Sequence, residues 1–364
     1  MTDLDDELLK AQLWLERMKP DTLDALYESL ISARNKIVAR IESTKSITEK
    51  KRLNIIKAII ENEMDAAYSG IYEDMRKEYN EYAKISYEAT NAIMAGYAPE
   101  MALAWAALPK SAIERILDPN RPILGETLKE IPINLNQAQQ RRIKKAVANA
   151  LYSGAGIDEA QRTARIVGEV ENLFGKITRH EIDTVVRTAM MAAVHEGRNA
   201  NFEEYAKAGF IVGWRSLGTL DSRTSDICRE LDQKFYPIKG YKSIDDVPYK
   251  PPRHPNCRSI LTAETELSMK IDGERPYAIH DKRTVNHRDG TRSTKFKVAD
   301  KGYVSGKTDF NSFFERQSAS FQKEYLGPKR YELYKSGKIK LSDVYDIARK
   351  KRLTLKELQA KIGE

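Results

Sequence analysis

The sequence has few cysteines and no long apolar run. Only Cys228 and Cys257 occur among 364 residues, too few for a secreted scaffold held by disulfides. The N-terminal segment MTDLDDELLKAQ is acidic and lacks the apolar core of a secretion signal, so we expect assembly in a reducing cytoplasm. Residues 92–108 come nearest to a long apolar run, but glycine, proline and glutamate interrupt them. A bilayer span needs more, so we expect no stable membrane span.

Excess positive charge is missing from most of the chain. The whole chain carries +8 with histidine neutral, whereas residues 271–364 hold 22 Lys and Arg against 13 Asp and Glu. That segment is therefore +9, and residues 1–270 are −1. One basic region favours contact with an acidic partner such as nucleic acid, and a solvated basic surface is the alternative. Overall, 41% hydrophobic and 31% charged residues are typical of a globular protein.

Apolar residues recur at helical spacing through the first 200 residues. Leu53, Ile56, Ile60 and Met64 follow one another at steps of three and four, behind a Ser46/Glu49 pair that fits a capping box. The segment MALAWAAL, residues 101–108, is apolar on all sides and predicts burial in the core or in an interface. Further helices are predicted after Asn136, acting as an N-cap, and over residues 157–174 and 178–208.

The residue pattern changes at Gly209, where β-branched and aromatic residues replace apolar residues at helical spacing. Strands are predicted within residues 209–219, at 234–237 and at 258–262. Residues 272–307 are polar, basic and glycine-containing, and predict an extended linker. The fold class is therefore mainly α. Long N-terminal helices and a helical bundle precede a small α+β module with a short β-hairpin, and a basic helical tail follows.

The densest group of informative residues runs from Val185 to Leu261. It contains Arg187-Thr188 on a predicted helix, Gly213-Trp214 on a strand, and a turn that reads DSRTSDICRELD. A proline-flanked loop, PPRHPNCRS, closes it. Each segment alone can be explained without a function, as a helix surface, a strand aromatic, a hydrogen-bonded turn or a rigid loop.

Together these pieces resemble the phage Mu protein F-like family of minor head, or head morphogenesis, proteins. The family pattern places an Arg-Thr helix, a Gly and a Trp before Asp-x-Arg-Thr-Cys-x-x-Cys-x-x-Leu-Asp-Gly, and ends in Pro-Pro-x-His-Pro-Asn-Cys-Arg-Cys. The match covers about residues 178–262, and residues 309–357 resemble the tail often found behind it. The resemblance implies structural roles, and no catalytic one, for Asp221, Arg223, Thr224, Cys228, Asp232, His254, Asn256, Cys257 and Arg258, with Arg187, Thr188 and Trp214 on the preceding helix and strand.

The sequence departs from this pattern at the cysteines. Ser225 and Ser259 stand where many members have cysteine, and Gln233 replaces a glycine. A four-thiolate zinc site is therefore excluded. Cys228, His254 and Cys257 remain as a candidate zinc set, with Asp221 or Asp232 as candidate oxygen ligands. In the alternative, no cofactor is needed, and packing, loop hydrogen bonds and an arginine–carboxylate pair hold the module.

The resemblance predicts a division of the chain into five segments. They are a helical region for portal binding or oligomerisation at 1–117, a proline-rich linker or arm at 118–135, the Mu F-like module at 136–270, a basic extended linker at 271–308, and a basic helical region at 309–364. The candidate DNA contacts lie in the fourth segment at Lys282, Arg283, Arg288, Arg292, Lys295 and Lys297.

The function that the resemblance implies is structural. We expect a minor capsid protein of a tailed phage, present in few copies, that assembles in the host cytoplasm and resides in the virion, inside the head or at the portal vertex. It would act in head assembly, DNA packaging or DNA ejection. Portal protein, major capsid protein and packaged double-stranded DNA are the expected partners, with self-association as a further one.

Three alternatives differ in class. An internal virion protein would leave the head with the genome. A metal-dependent nuclease would use His254 and Asn256, but the sequence has no second histidine half at a convincing spacing. A host DNA-binding protein would need a recognition motif that we do not find.

Overall fold

The computed structural model describes residues 4–15, 18, 20–44, 48–97, 109–152, 158–286 and 292–363, without the side chains at 176–179, 282–286 and 292–296. Ser46 of the predicted capping box, the apolar segment 101–108 and Arg288 lie outside these residues. None of the helices described is both long enough and apolar enough to span a membrane.

Helices dominate the first 207 residues, as the apolar stripes predict. They are α1 (Leu4–Leu15), α2 (Asp21–Ser43), α3 (Glu49–Tyr68), α4 (Ile71–Met94), α5 (Lys110–Leu117), α6 (Glu130–Tyr152) and α7 (Glu159–Lys207). The stripe of Leu53, Ile56, Ile60 and Met64 is buried on one side of α3. This face packs into a core shared with α2, α4, α6 and α7.

One helix replaces two expected ones. The predicted helices at 157–174 and 178–208 are a single element, α7, of 49 residues, which at 1.5 Å per residue is about 74 Å long. Asp158 is its N-cap, since the Asp158 side chain accepts a hydrogen bond of 2.8 Å from the Gln161 amide. No proline interrupts it, and an internal glycine such as Gly175 costs only about 1 kcal/mol, which is too little to end a well-packed helix.

Helix α6 also begins earlier than predicted. Its first residue is Glu130, which forms a reciprocal cap with Thr127 through hydrogen bonds of 2.8 and 3.3 Å. Pro132 is tolerated because a proline in the first turn loses no intrahelical bond. Asn136 is therefore not an N-cap. It is buried inside the helix, and its amide donates to Asp65 on α3 at 2.8 Å.

A single hydrophobic core joins the N-terminal helices to the helical part of the predicted family module. It runs from Leu15 to Ala200, so the expected boundary between residues 117 and 136 does not separate two cores. Helices α4 and α7 approach closely where α7 has Gly197. A Cβ at this position would lie 1.9 Å from the Ala83 carbonyl oxygen, and Ser86 donates to the Val194 carbonyl at 2.7 Å.

The predicted β module is present. Strands β1 (Gly213–Leu217), β3 (Phe235–Pro237) and β4 (Ile260–Glu264) form an antiparallel sheet in the order β3-β1-β4. The fold class, mainly α with a small β module, is thus confirmed. In the register, Trp214 pairs with Tyr236 on one side and Ala263 on the other. The short helix α8 (Asp226–Glu230) lies between β2 (Leu220–Asp221) and β3.

The expected extended linker at 271–308 is wrong. Residues Glu274–Asn286 form β5 and residues Arg292–Ser305 form β6, which pair antiparallel over their whole length. The first part of β5 also pairs with β2, in parallel, at Leu220↔Tyr277 and Asp221↔Ala278. The sequence carries a signal for this hairpin, because Asp289-Gly290 between two runs is a favoured hairpin turn.

The C-terminal residues have a core of their own. They form helices α9 (Phe310–Glu315), α10 (Ala319–Leu326), α11 (Pro328–Lys335) and α12 (Leu355–Ile362), with a small ribbon of β7 (Tyr345–Asp346) and β8 (Lys351–Arg352) between α11 and α12 in the chain. Phe310, Phe313, Phe314 and Phe321 are buried in this core, and Leu220 of β2 joins them. The tail is therefore helical as predicted, and it packs on the β module.

Candidate functional site

A short helix places Cys228 beside the proline-flanked loop. Ser225 precedes α8 and caps it, since its hydroxyl accepts a hydrogen bond of 3.4 Å from the Cys228 amide. The cap fixes the first turn of a helix only five residues long. Cys228 is buried, at 2% exposure.

The loop brings His254 and Cys257 to the same place. The Cys257 amide donates to the His254 carbonyl at 3.1 Å, which closes a tight turn. Asn256 within this turn has a φ of 56°, a left-handed conformation that asparagine adopts more readily than most residues. His254 directs Nδ1 at the Pro255 carbonyl, 2.8 Å away, so that Nε2 faces α8.

Three donor atoms meet at this point. Cys228 Sγ lies 3.7 Å from Cys257 Sγ and 3.3 Å from His254 Nε2, and all three atoms lie within 4.8 Å of one another. The hydroxyl of Ser225 lies 2.8 Å from His254 Nε2. Residues 29 positions apart in the sequence thus form one cluster, here called the Cys-His cluster.

The cluster shifts the ionisation of its members. A hydrogen bond from Cys257 lowers the pKa of the Cys228 thiol, against the effect of burial. The same bond, together with burial, raises the pKa of Cys257. Burial alone would lower the pKa of His254, but contact with Cys228 raises it overall. The two sulfurs are therefore not equivalent, because their contact favours deprotonation of Cys228 before Cys257.

Asp221 and Arg258 form a separate ion pair beside the cluster. The two guanidinium nitrogens of Arg258 each donate to one carboxylate oxygen of Asp221, the second at 2.9 Å. The Arg223 amide and the Thr224 hydroxyl also donate to Asp221, at 2.8 and 3.2 Å. Burial opposes ionisation, but Arg258 lowers the pKa of Asp221 overall. This carboxylate is engaged in holding the turn, so it is not placed as a metal ligand.

Asp232 forms a second, buried ion pair, with Arg275. It is 1% exposed, and its partner Arg275 at the start of β5 is 2% exposed, with the closest N–O distance at 2.6 Å. Its carboxylate also accepts from the Gly218 amide at 2.7 Å and from the Phe310 amide at 2.8 Å. Asp232 therefore ties together the β module, the hairpin and the C-terminal core.

The two residues of the Arg-Thr pair make different contacts. Thr188 is buried on α7, and its hydroxyl accepts a hydrogen bond of 3.0 Å from the Asn256 amide. The Asn256 side chain donates to Thr184, one turn earlier, at 3.2 Å. Arg187 is part-exposed and pairs with Asp183 on its own helix at 2.6 Å. Thr188 thus docks the loop on α7, whereas Arg187 does not reach the cluster.

Trp214 anchors the sheet below the loop. It is fully buried, and its indole nitrogen donates to the Tyr241 carbonyl at 2.8 Å. Arg253, next to His254, reaches back to the sheet and donates to Ser216 on β1 at 2.6 Å. The loop is therefore fixed both to α7 and to β1.

The structure thus sorts the residues predicted from the motif. It joins Cys228, His254 and Cys257 in one cluster, pairs Asp221 with Arg258, and docks Asn256 on Thr188. The sequence reasoning missed Ser225 as a neighbour of His254, although its place in the cysteine pattern marked it. It also missed Arg275, because no spacing rule links an acid to a base 43 positions away in a segment expected to be a linker.

Five of the six DNA-contact candidates lie on the outer half of the hairpin. The register places Arg283 directly opposite Lys295, Asp281 opposite Lys297, and Asn286 opposite Arg292. Lys282 is paired with Phe296, and Lys297 is exposed. Between 280 and 298 the sequence has six Lys and Arg against two Asp. The hairpin therefore brings five of the six candidates onto one two-stranded ribbon.

Comparison with known proteins identifies the segment that contains this site. No curated protein and no solved structure matches the chain. A family model described as Phage Mu protein F like protein matches residues 141–262, about a third of the chain, from α6 through β4. The matched range includes the Arg-Thr helix, Trp214, the Cys-His cluster and the Asp221–Arg258 pair. Residues 141–262 are thus similar to the Phage Mu protein F-like family, the family that the motif resemblance indicated.

Proposed function

We propose that this chain is a minor capsid protein of a tailed phage that assembles at the portal vertex and acts in head assembly, DNA packaging or DNA ejection. The match to the Phage Mu protein F-like family over residues 141–262 carries the proposal. Supporting it, the motif side chains in that segment bind one another. The contact between Thr188 and Asn256 joins helix α7 to the proline-flanked loop, and the pair of Asp221 and Arg258 joins β2 to the same loop. Such contacts stabilise a rigid assembly module.

The partners follow from the charge distribution. Residues 1–270 carry a net charge of −1 and residues 271–364 a net charge of +9. The helical body is the proposed contact for portal and capsid protein, because a nearly neutral surface packs against other proteins without long-range repulsion. The basic hairpin β5–β6 is the proposed contact for packaged DNA.

The shape of the hairpin suits a duplex. Its outer half, from His280 to Val298, pairs only with itself in the described sheet register. The register pairs Arg283 with Lys295, so two basic positions lie opposite each other on the ribbon. The major groove of B-DNA admits a two-stranded ribbon of this kind. Contact would be non-specific in sequence, because phosphates provide the attraction.

His254 and Asn256 do not suggest a nuclease. His254 Nε2 faces the Cys228 sulfur and the Ser225 hydroxyl, and Asn256 binds the threonines of α7. Both side chains have structural contacts, so no specific observation favours hydrolysis.

Portal association is tested by co-expression with the portal protein of the same phage. We expect the two proteins to co-elute in size-exclusion chromatography and the chain to be present in purified virions at few copies per portal ring. Absence of the chain from both virions and procapsids, with no co-elution, contradicts the proposal.

DNA contact is tested by fluorescence anisotropy with two 30-base-pair duplexes of unrelated sequence. Lys282, Arg283, Arg288, Arg292, Lys295 and Lys297 are all changed to Gln. We expect the salt slope of log K to decrease by up to about 5, at roughly 0.9 per lost phosphate contact. The matched control removes six exposed charges elsewhere, at Lys307, Arg316, Lys323, Lys329, Lys335 and Lys356. An equal loss in both variants contradicts a specific role for the hairpin.

A further inference from the structure

We infer that Cys228, His254 and Cys257 bind one structural zinc ion that joins helix α8 to the loop of residues 249–258. The inference is independent of the proposed portal and DNA contacts. It rests on the geometry of the Cys-His cluster and on the chemistry of its three donor atoms.

The distances within the cluster are those between the ligands of a tetrahedral zinc. With Zn–S of about 2.3 Å and Zn–N of about 2.0–2.1 Å, ligand atoms of a tetrahedron lie about 3.8 Å apart for S–S and about 3.6 Å for S–N. The observed separations are 3.7 Å between the sulfurs and 3.3 Å between Cys228 Sγ and His254 Nε2. Two of the three separations thus match those of a tetrahedral zinc, and the third, between Cys257 Sγ and His254 Nε2, is within 4.8 Å.

The histidine is oriented as a metal ligand. Its Nδ1 lies 2.8 Å from the Pro255 carbonyl, and a neutral imidazole that donates its Nδ1 proton there presents the Nε2 lone pair to the sulfurs. Metal-binding histidines commonly make such a hydrogen bond to a backbone carbonyl through the other nitrogen. The contact fixes both the tautomer and the direction of the ring.

The surroundings favour zinc over hard cations. Two sulfurs and one imidazole nitrogen are soft donors, which select zinc rather than magnesium or calcium. Cys228 and Cys257 are 2% and 1% exposed, whereas His254 is half-buried, so the fourth position opens towards the Ser225 hydroxyl. That hydroxyl lies 2.8 Å from His254 Nε2, and an oxygen ligand completes the tetrahedron there.

Metal content is measured on the full chain, purified without chelators and then titrated with Zn²⁺ or Co²⁺. We expect about one ion per chain and, with Co²⁺, the visible bands of a tetrahedral thiolate complex. Cys228→Ser, Cys257→Ser and His254→Gln should each lose stoichiometric binding while circular dichroism shows retained helix. If the wild-type chain is folded and binds no metal, or if Co²⁺ spectra are unchanged in the three variants, the cluster is a pair of hydrogen-bonded thiols and the inference is wrong.

A gain-of-ligand variant keeps the test valid even where a lost ligand prevents folding. Ser225→Cys adds a thiol next to His254, so it should bind Zn²⁺ more tightly than the wild type in a competition with a chromophoric chelator. Ser222→Cys is the matched control in the same turn, because Ser222 faces the His280 carbonyl and not the cluster. Equal Zn²⁺ affinities in Ser225→Cys, Ser222→Cys and the wild type overturn the inference.

Discussion

Asp232 and Arg275 form an ion pair that is shielded almost completely from solvent. The two side chains are 1% and 2% exposed, with the closest N–O distance at 2.6 Å. Arg275 also donates to the Thr308 carbonyl at 2.6 Å, and Asp232 accepts from the Phe310 amide. The pair therefore connects the module after β2 to the base of the hairpin and to the C-terminal core.

Asp232→Ala should lower the free energy of unfolding by about 3–5 kcal/mol, because it leaves the buried guanidinium of Arg275 without a counter-charge. Urea unfolding monitored by fluorescence measures the change. The double variant Asp232→Leu/Arg275→Met should recover much of the loss, since no charge is then buried. As a control, Lys351→Ala removes a part-exposed pair with Glu357 and should have a much smaller effect, because water screens such a pair. Similar effects for Asp232→Ala and Lys351→Ala would contradict the structural role given to the buried pair.

Gly197→Ala should destabilise the helical body by about 3 kcal/mol. The new Cβ would lie 1.9 Å from the Ala83 carbonyl oxygen, so α4 and α7 must separate, which costs packing energy. Thermal unfolding followed by circular dichroism measures the effect.

Gly168→Ala serves as the matched control, because it lies on the same helix with no atom within 4 Å of the added Cβ. That variant should gain up to about 1 kcal/mol from helix propensity. A stabilised Gly197→Ala variant would show that the two helices are not in close contact.

Thr188→Val should weaken the attachment of the loop to α7 by about 1 kcal/mol. It removes the hydroxyl that accepts from the Asn256 amide at 3.0 Å while keeping the shape of the side chain. Hydrogen exchange of the Asn256 amide should speed up in the variant. Thr184→Val removes only the contact of 3.2 Å to the Asn256 side chain and should leave that exchange nearly unchanged. If Thr184→Val speeds up this exchange more than Thr188→Val does, then Thr184 and not Thr188 docks the loop.

Stability should decrease as the pH falls from about 7 to 5 because of His195. This side chain is 3% exposed on α7, and burial, followed by Arg198 and Arg253, holds its pKa well below the usual value of 6.5. The unfolded chain takes up a proton near pH 6.5 while the folded chain does not, so acid favours unfolding by up to about 1.4 kcal/mol per pH unit.

Denaturant unfolding at several pH values measures this slope. His195→Gln should flatten it, and His180→Gln, at an exposed position of the same helix, should not. The raised pKa of His254 acts in the opposite direction over this pH range, but equally in all three proteins. An unchanged slope in His195→Gln would mean that the buried imidazole is protonated in the folded state.

Helix content, strand positions and the identity of the motif residues could be read from local sequence patterns. The stripe of Leu53 to Met64 predicted α3, and β-branched residues bounded by glycines predicted β1. Boundaries were less accessible, because the start of α6 depends on a Thr127/Glu130 cap and its continuity through Asn136 depends on Asp65. Composition does not reveal the hairpin, because its strands are polar and basic, and Asp289-Gly290 is its local turn signal.

The sequence indicates which residues belong to the candidate site, but it does not indicate how they pair. The resemblance to the family motif singled out Cys228, His254 and Cys257, but it left Asp221 and Asp232 open as further ligands. The structure pairs these carboxylates with Arg258 and Arg275. An arginine distant in the sequence can reach a buried acid only once the sheet and hairpin are folded, so local spacing does not reveal such pairs.

By itself the sequence determined the helical body, the basic C-terminal quarter, the scarcity of thiols and the resemblance to the head morphogenesis family. These properties follow from periodicity, composition and short motifs, which are local. Only the tertiary structure decided that three donor atoms converge at the Cys-His cluster, that Thr188 docks the loop, and that the basic residues align on a two-stranded ribbon. The cluster and the docked loop depend on the packing of segments that are distant along the chain, whereas the ribbon depends on the pairing of two neighbouring strands, which polar composition does not reveal.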